Sequence, residues 1–371
     1  MHAVWDITSK CNLSCVHCYN SRLYSPFFPQ DLVLDLRINE VYKILDKLAE
    51  GGVETIQFLG GEPFIRPDFL DILVYAKQKR LNCRIATNGL LLNETLIEEL
   101  ARIFPEQIVF SIEGARRKSN DAIRGKGTFD RAINNLKLLS NYFRDNRVKT
   151  IIGIQCTLTR ANKNELAEMV NLCKELNLDL LGFEPLQIYS QDPSQRNKLK
   201  GLILDSLELV KAGEKIAALM SSNQNKIEIR MGTLGAPRFI KYLNQKYGMK
   251  LQVGRRCPAA SDIFYIRADA IVHPCNYCSD LDENIFCQKV KKEKLDLRVL
   301  SFEEVVDSEY FKTFYYFAHN GEIFEQLLYC KKCECYEICE PCPLDVVRFG
   351  DRVTSQCLNF EKYRKEATEA I

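Results

Sequence analysis

A chain of 371 residues with 16 cysteines, 4 histidines and one tryptophan carries 51 basic against 49 acidic side chains, a formal net charge of +2. That length buries a sizeable core without disulfide staples, and near-neutral charge leaves no electrostatic footprint for nucleic acid or an anionic membrane. The start, Met1 to Asp6, lacks a basic, then apolar, secretory pattern, and no apolar run reaches the ~18 residues of a bilayer span; a cytoplasmic protein is expected, its thiols serving as metal ligands, catalytic groups or core residues.

From Ala3 to about Gln187, short apolar runs alternate with amphipathic stretches, which predicts repeated strand–helix units. Strands are expected at Ala3 to Thr8, Glu54 to Leu59, Asn82 to Thr87, Gln107 to Ile112, Lys149 to Leu158 and Asp179 to Leu186. Helices are expected at Leu36 to Glu50, Phe69 to Arg80, Glu94 to Phe104, Phe129 to Phe143 and Lys163 to Leu176. Asn93, Thr128 and Asn162, the last with Glu165 three residues on, read as helix starts. Parallel strands joined by right-handed crossovers curl toward a barrel, so the fold class is α/β, a partial (β/α)6 TIM-like barrel with its reactive groups at the strand C-terminal ends. Residues 1–190 form that unit. Residues 191–250 read as a helical bridge, with Leu199 to Leu219 its clearest helix, and 251–371 as a loop-rich, cysteine-rich extension with a helical stretch at Ser301 to Tyr329.

Cys11, Cys15 and Cys18 stand in Cys-Asn-Leu-Ser-Cys-Val-His-Cys-Tyr directly after the first strand. Three thiolates on one tight loop can hold three irons of a 4Fe-4S cluster and leave the fourth open; zinc prefers four closed ligands, and His17, flanking its neighbours in so short a loop, is a poor fourth. Here the sequence resembles the radical S-adenosylmethionine enzymes, with the signature aromatic displaced: His17 precedes Cys18 and Tyr19 follows it. Gly60-Gly61-Glu62-Pro63 resembles the family segment that receives the methionine amino group, against the plain alternative of a tight strand–helix turn. Thr87-Asn88-Gly89 is similar to a segment near the cofactor. In Phe110-Ser111-Ile112-Glu113-Gly114, alternation places Ser111 and Glu113 on one face; if that face lines the barrel, Ser111 meets the cofactor and Glu113 the substrate side. Arg124, in a stretch similar to the family's Arg-Gly-x-Gly-x-Phe, suits the methionine carboxylate, since guanidinium pairs with carboxylate bidentately. Gln155 and Leu186 are further cofactor contacts by position. Cys156, if it faces the barrel, is a hydrogen donor to a substrate radical; core packing is its plain alternative.

Ten cysteines fall between Cys257 and Cys357. Cys257, then Asp269-Ala270-Ile271-Val272-His273-Pro274-Cys275, then Cys330-x-x-Cys333, Cys339-Glu340-Pro341-Cys342 and Cys357 resemble the SPASM domain of peptide-modifying radical enzymes. Ala270 replaces that family's glycine, and the spacer from Cys339 to Cys342 is one residue short. The resemblance assigns Cys330, Cys333, Cys339 and Cys357 to a distal auxiliary cluster and Cys257, Cys275 and Cys342 to a proximal one, whose fourth site is either Cys278 or open to a substrate thiolate. A zinc ribbon from Cys330, Cys333, Cys339 and Cys342 is the alternative.

The resemblance implies S-adenosylmethionine and three 4Fe-4S clusters, one for the radical chemistry and two auxiliary, generating a 5'-deoxyadenosyl radical that abstracts a substrate hydrogen. The expected substrate is a ribosomally synthesised precursor peptide, modified by thioether or carbon–carbon cross-linking, with flavodoxin or ferredoxin as electron donor. Leader recognition falls to the bridge and SPASM regions or to a separate partner. Oxidation or decarboxylation of a haem-pathway tetrapyrrole is the main alternative. Peptide epimerisation and sulfatase-maturase-like dehydrogenation stand lower, the latter because Asn276 occupies that subfamily's Asp position. A non-catalytic peptide-binding module is disfavoured by the intact triplet.

Overall fold

The structure, a computed structural model, describes residues 1–18, 35–187, 193–223, 227–232, 237–253, 257–280 and 293–319, with Lys332, Cys333, Cys335, Cys342 and Phe360. All six predicted strands form in order: β1 (His2–Thr8), β2 (Thr55–Gly60), β3 (Asn82–Thr87), β4 (Gln107–Ser111), β5 (Ile151–Leu158) and β6 (Leu180–Pro185), each parallel to the next. Between them run α1 (Ile38–Glu50), α2 (Phe69–Gln78), α3 (Glu94–Ile103), α4 (Arg117–Arg124), α5 (Thr128–Asp145) and α6 (Leu166–Glu175).

Pairing register separates two faces. Trp5, Phe58, Ile85 and Ile108 lie side by side across β1 to β4, and Phe110, Ile154 and Leu181 across β4 to β6, all buried. They pack with the apolar stripes of the helices, such as Val41, Ile44, Leu45 and Leu48 of α1, in one continuous core. Each fully buried large side chain contributes about 1.5–3 kcal/mol. The opposite, inner face is more polar: Gln57, Arg84, Ser111, Gln155, Thr157 and Glu184 alternate with the core residues.

The sheet does not close. On one side β7 (Glu228–Met231) adds parallel to β6; on the other, β8 (Ile263–Ile266) adds parallel to β1, followed by antiparallel β9 (Ile271–His273) and β10 (Leu295–Asp296). The Tyr265 hydroxyl on β8 donates to buried Asp6 on β1. Lys47 of α1 donates to the carbonyls of Leu297 and Leu300, both at 2.7 Å, which ties the late strands to the first helix.

Several predicted helices differ at their ends for local reasons. The expected Leu199 to Leu219 helix is two, α7 (Pro193–Lys200) and α8 (Ser206–Ser222), because Asp205 and Glu208 form a reciprocal capping box at 2.8 and 2.9 Å. α9 (Pro237–Tyr247) follows. The expected helix from Ser301 is interrupted as α10 (Phe302–Val306), capped by Ser301, and α11 (Glu309–His319). Asn93 caps α3 as expected, accepting from the Leu96 N–H at 2.9 Å. Among the described residues no helix is long and apolar enough to cross a membrane.

Candidate functional site

The cysteine loop leaves β1 at its C-terminal end and is pinned from three directions. Asp35 accepts from Thr8 Oγ1 at 2.6 Å and from the Ser9 N–H at 2.9 Å. The Val16 N–H donates to the Ile123 carbonyl at the end of α4 at 2.9 Å. From β2, the N–H groups of Gly61 and Glu62 donate to the Thr8 and Lys10 carbonyls, both at 2.8 Å. A Cβ on Gly61 would overlap the Lys10 carbonyl, and Gly60 has φ +130°. The two glycines therefore let β2 approach the cysteine loop backbone itself. Cys11, Cys15 and Cys18 are all half-buried on that loop.

Glu62 is buried and accepts from Thr87 Oγ1 and the Asn88 N–H, both at 2.7 Å, and from the Phe64 N–H at 3.3 Å. Burial pushes its carboxyl up, against those hydrogen bonds. Its carboxylate thus fixes the end of β3, with Pro63 buried beside it as the next residue. Asn88 Nδ2 in turn donates to Asn12 Oδ1 at 2.8 Å, between Cys11 and Cys15.

Glu113 was expected to share the Ser111 face and meet substrate. β4 ends at Ser111, however, and Glu113 turns into a fully buried ion pair, its Oε1 accepting from Arg124 Nη2 at 2.6 Å and Nε at 3.0 Å. His17 Nε2 lies 3.1 Å from the same oxygen, and the Thr157 N–H donates to Oε2 at 2.5 Å. Burial raises the carboxyl's proton affinity, but the Arg124 guanidinium and then His17 outweigh it and hold the pKa at about 2. Arg124 Nη1 reaches to 3.9 Å from Cys15 Sγ, so this guanidinium links Glu113 to the cysteine loop.

Sequence reasoning missed the scaffold of this pair. Asn120 Oδ1 accepts from the Glu113 N–H at 3.0 Å, and Asn162 Nδ2 donates to the Glu113 and Thr157 carbonyls, both at 2.8 Å. Glu165 accepts from the Ala115 N–H at 2.9 Å and Ser119 Oγ at 2.7 Å. Asn162 and Glu165, expected to open a helix at Lys163, hold the β4 and β5 ends, and α6 starts only at Leu166. Asp121 accepts from the N–H groups of Gly127 and Phe129 at 2.7 and 3.0 Å, placing the start of α5 at Gly127 and Thr128 inside the helix.

Ser111, Gln155 and Gly182 stand in register across the inner face of β4, β5 and β6. A side chain at Gly182 would collide with the Gln155 amide, so glycine there gives Gln155 room to lie across the sheet. Leu186, buried just beyond β6, donates its N–H to the Leu158 carbonyl at 3.0 Å. Cys156 is corrected: it points into the helical layer, in the core with Cys173 and Met169, and burial pushes its thiol far up. It cannot serve as a donor on the inner face.

In the C-terminal region, Cys257, Cys275 and Cys342 are half-buried against the main core, and Cys278 is fully buried in it. Cys333 Sγ accepts from the Cys335 N–H at 3.4 Å. Cys330, Cys339 and Cys357 lie outside the described residues.

A sequence profile of the Radical SAM superfamily matches residues 5–194. An AdoMet-dependent heme synthase of Methanosarcina barkeri is 26% identical over 294 residues, 76% of this chain and 78% of that protein. Mycofactocin maturase MftC of Mycolicibacterium smegmatis is 32% identical over 169 residues, 45% of this chain and 40% of that protein, so the match spans less than half of it. Streptococcus suis SuiB, solved bound to its precursor peptide SuiA, superposes with a TM-score of 0.69 at 18% identity, covering 94% of this chain and 73% of that one, a likeness of fold.

Proposed function

Because the chain belongs to the Radical SAM superfamily, we propose that it is a cytoplasmic peptide-modifying radical enzyme that cross-links a ribosomally synthesised precursor peptide through a thioether or carbon–carbon bond. The observation that carries this reading is the Cys11, Cys15 and Cys18 loop, locked by Gly61, Asn88 and Arg124 at the mouth of the polar inner face. The donor set suits a 4Fe-4S cluster: three soft sulfurs, a guanidinium beside one of them, and a buried His17 Nδ1 that finds no partner among the described residues. When bound there, the cluster and S-adenosylmethionine supply an electron and a hydrogen-abstracting carbon radical.

The chain's own residues hold and shield those groups. Gly60, Gly61, Glu62 and Pro63, with Thr87 and Asn88, present an ordered strand-end surface for the methionine portion. Ser111 and Gln155 offer polar groups for the rest of the cofactor, and Leu186 closes its edge. Arg124 donates toward Cys15 and neutralises Glu113. Residues 1–190 form the cofactor unit, 191–250 a bridge, and 251–371 a SPASM unit with two auxiliary clusters and flavodoxin or ferredoxin as electron donor. SuiB, whose structure holds a precursor peptide, and the maturase MftC support a peptide substrate.

Anaerobic incubation with reductant, S-adenosylmethionine and candidate precursor peptides tests the reading: a substrate peptide should lose hydrogen mass while the cofactor is cleaved, and Cys15→Ala should abolish both. A second reading, oxidation or decarboxylation of a haem-pathway tetrapyrrole, is favoured by the heme synthase match, which extends well beyond the 5–194 segment. Carbon dioxide released from a tetrapyrrole side chain, with the peptide unchanged, decides for it.

A further inference from the structure

Two glycines repeat one device on the inner face of the sheet. Gly182 gives Gln155 room to lie across β6, and Gly232, directly after β7, does the same for Glu184, because a Cβ at Gly232 would overlap the Glu184 carboxylate. The Gly232 N–H donates to the Phe183 carbonyl at 2.9 Å, which holds this glycine beside β6. Two rows result. Ser111, Gln155 and Gly182 make the first. In the second, Thr157 stands opposite Glu184, two residues, or about 7 Å, nearer the strand C-terminal ends. Thr157 and Glu184 are both half-buried, whereas Leu181 and Phe183, which alternate with Glu184, are buried in the core. Glutamate is a poor strand former, and a partly desolvated carboxylate adds nothing to that core.

We infer that Glu184 is a substrate contact, receiving a cationic side chain, lysine or arginine, of the peptide beside the carbon that loses hydrogen. The inference rests on the peptide reading above. The second row lies beyond the Ser111 and Gln155 assigned to the cofactor, at the strand ends where barrels of this kind gather their reacting groups. Neighbouring guanidiniums are committed to other carboxylates: Arg230, opposite Gly182 on β7, donates from Nε and Nη2 to Glu228 at 2.6 and 3.1 Å, and Arg124 is paired with Glu113. Glu184 is also held within the chain, but a carboxylate has about four acceptor sites, so capacity remains for a ligand. An ammonium or guanidinium arriving there gains a charge-assisted hydrogen bond, whereas a carboxylate on a tetrapyrrole would meet like charge. Glu184 thus favours a peptide over the second reading.

Wild type, Glu184→Gln and Glu184→Lys, each reconstituted anaerobically and loaded with S-adenosylmethionine, are offered one library of randomised short peptides, and the retained peptides are sequenced. Circular dichroism and S-adenosylmethionine affinity check that each variant is intact. Wild type should enrich lysine and arginine at one position by about tenfold or more over Glu184→Gln, the worth of a charge-assisted hydrogen bond. Glu184→Lys should enrich aspartate and glutamate there instead. Equal lysine and arginine content in the wild-type and Glu184→Gln pools overturns the inference and leaves the peptide reading standing. Loss of S-adenosylmethionine affinity in a folded Glu184→Gln also overturns it, because the carboxylate then belongs to the cofactor. If the wild type retains no peptide at all, the peptide reading falls and takes the inference with it.

Discussion

Arg124 and Glu113 form an ion pair at 2.6 Å in which the carboxylate is wholly shielded from solvent and the guanidinium nearly so. The pair joins the end of β4 to the end of α4, and through Arg124 Nη1 it reaches Cys15.

Removing one charge of such a pair leaves the other buried and unmatched. Glu113→Gln should lower the unfolding free energy by about 3–5 kcal/mol. Urea titration of the whole chain measures this, and an unchanged midpoint would show that the pair holds nothing together.

The same carboxylate makes stability depend on acidity. Its folded pKa, about 2, lies below the ~4.3 of an unfolded glutamate. The stabilisation is therefore complete above that unfolded value and is lost as pH falls toward 2, a total of roughly 3 kcal/mol. The gap in unfolding free energy between wild type and Glu113→Gln should narrow on acidification from about pH 6 to about pH 3. A gap that stays constant contradicts this.

Gly61→Ala should displace the cysteine loop, because the added carbon overlaps the Lys10 carbonyl and neither backbone can yield cheaply. Overpacking of this kind costs about 1–3 kcal/mol. Iron bound after reconstitution should fall in proportion to loop disorder, with the C-terminal sites unaffected. Full iron incorporation in this variant would mean that the close approach of β2 is dispensable.

Neighbouring residues on β5 should behave oppositely. Gln155→Leu, on the inner face, should weaken S-adenosylmethionine binding by about tenfold, the worth of one good hydrogen bond. Cys156→Ala, in the helical layer, should keep cofactor affinity and turnover within about twofold and lose on the order of 1 kcal/mol of stability. Equilibrium dialysis and unfolding curves separate the two, and loss of turnover in Cys156→Ala would restore a chemical role for that thiol.

The contrast on β5 shows where the sequence was legible. Alternation says that Gln155 and Cys156 face opposite ways; only the register with Ser111 and Gly182 says which way is in. The six long parallel strands carried strong apolar runs and were found in order. β7 to β10 have two to four residues each, and β8 takes its partner from the opposite end of the chain, so no local window announces them. α4 was missed because its buried residues include Ser119 and Asn120, which break any apolar stripe. The role of Asn162 escaped for a related reason: an Asn ahead of a helical pattern reads as a cap, and one of its carbonyl partners, Glu113, lies 49 positions away just beyond β4.

Asp6 and Tyr265 stand 259 positions apart in sequence yet share one hydrogen bond across the β1–β8 seam. At roughly 5–20 residues per second, a ribosome needs on the order of 10–50 s to make the intervening chain. Throughout that interval β1 offers an unpaired edge, the kind of template on which other nascent strands can misassemble. The order of manufacture thus sets a timetable for the cysteine loop: it is made well before the seam that seats the strand beneath it can form.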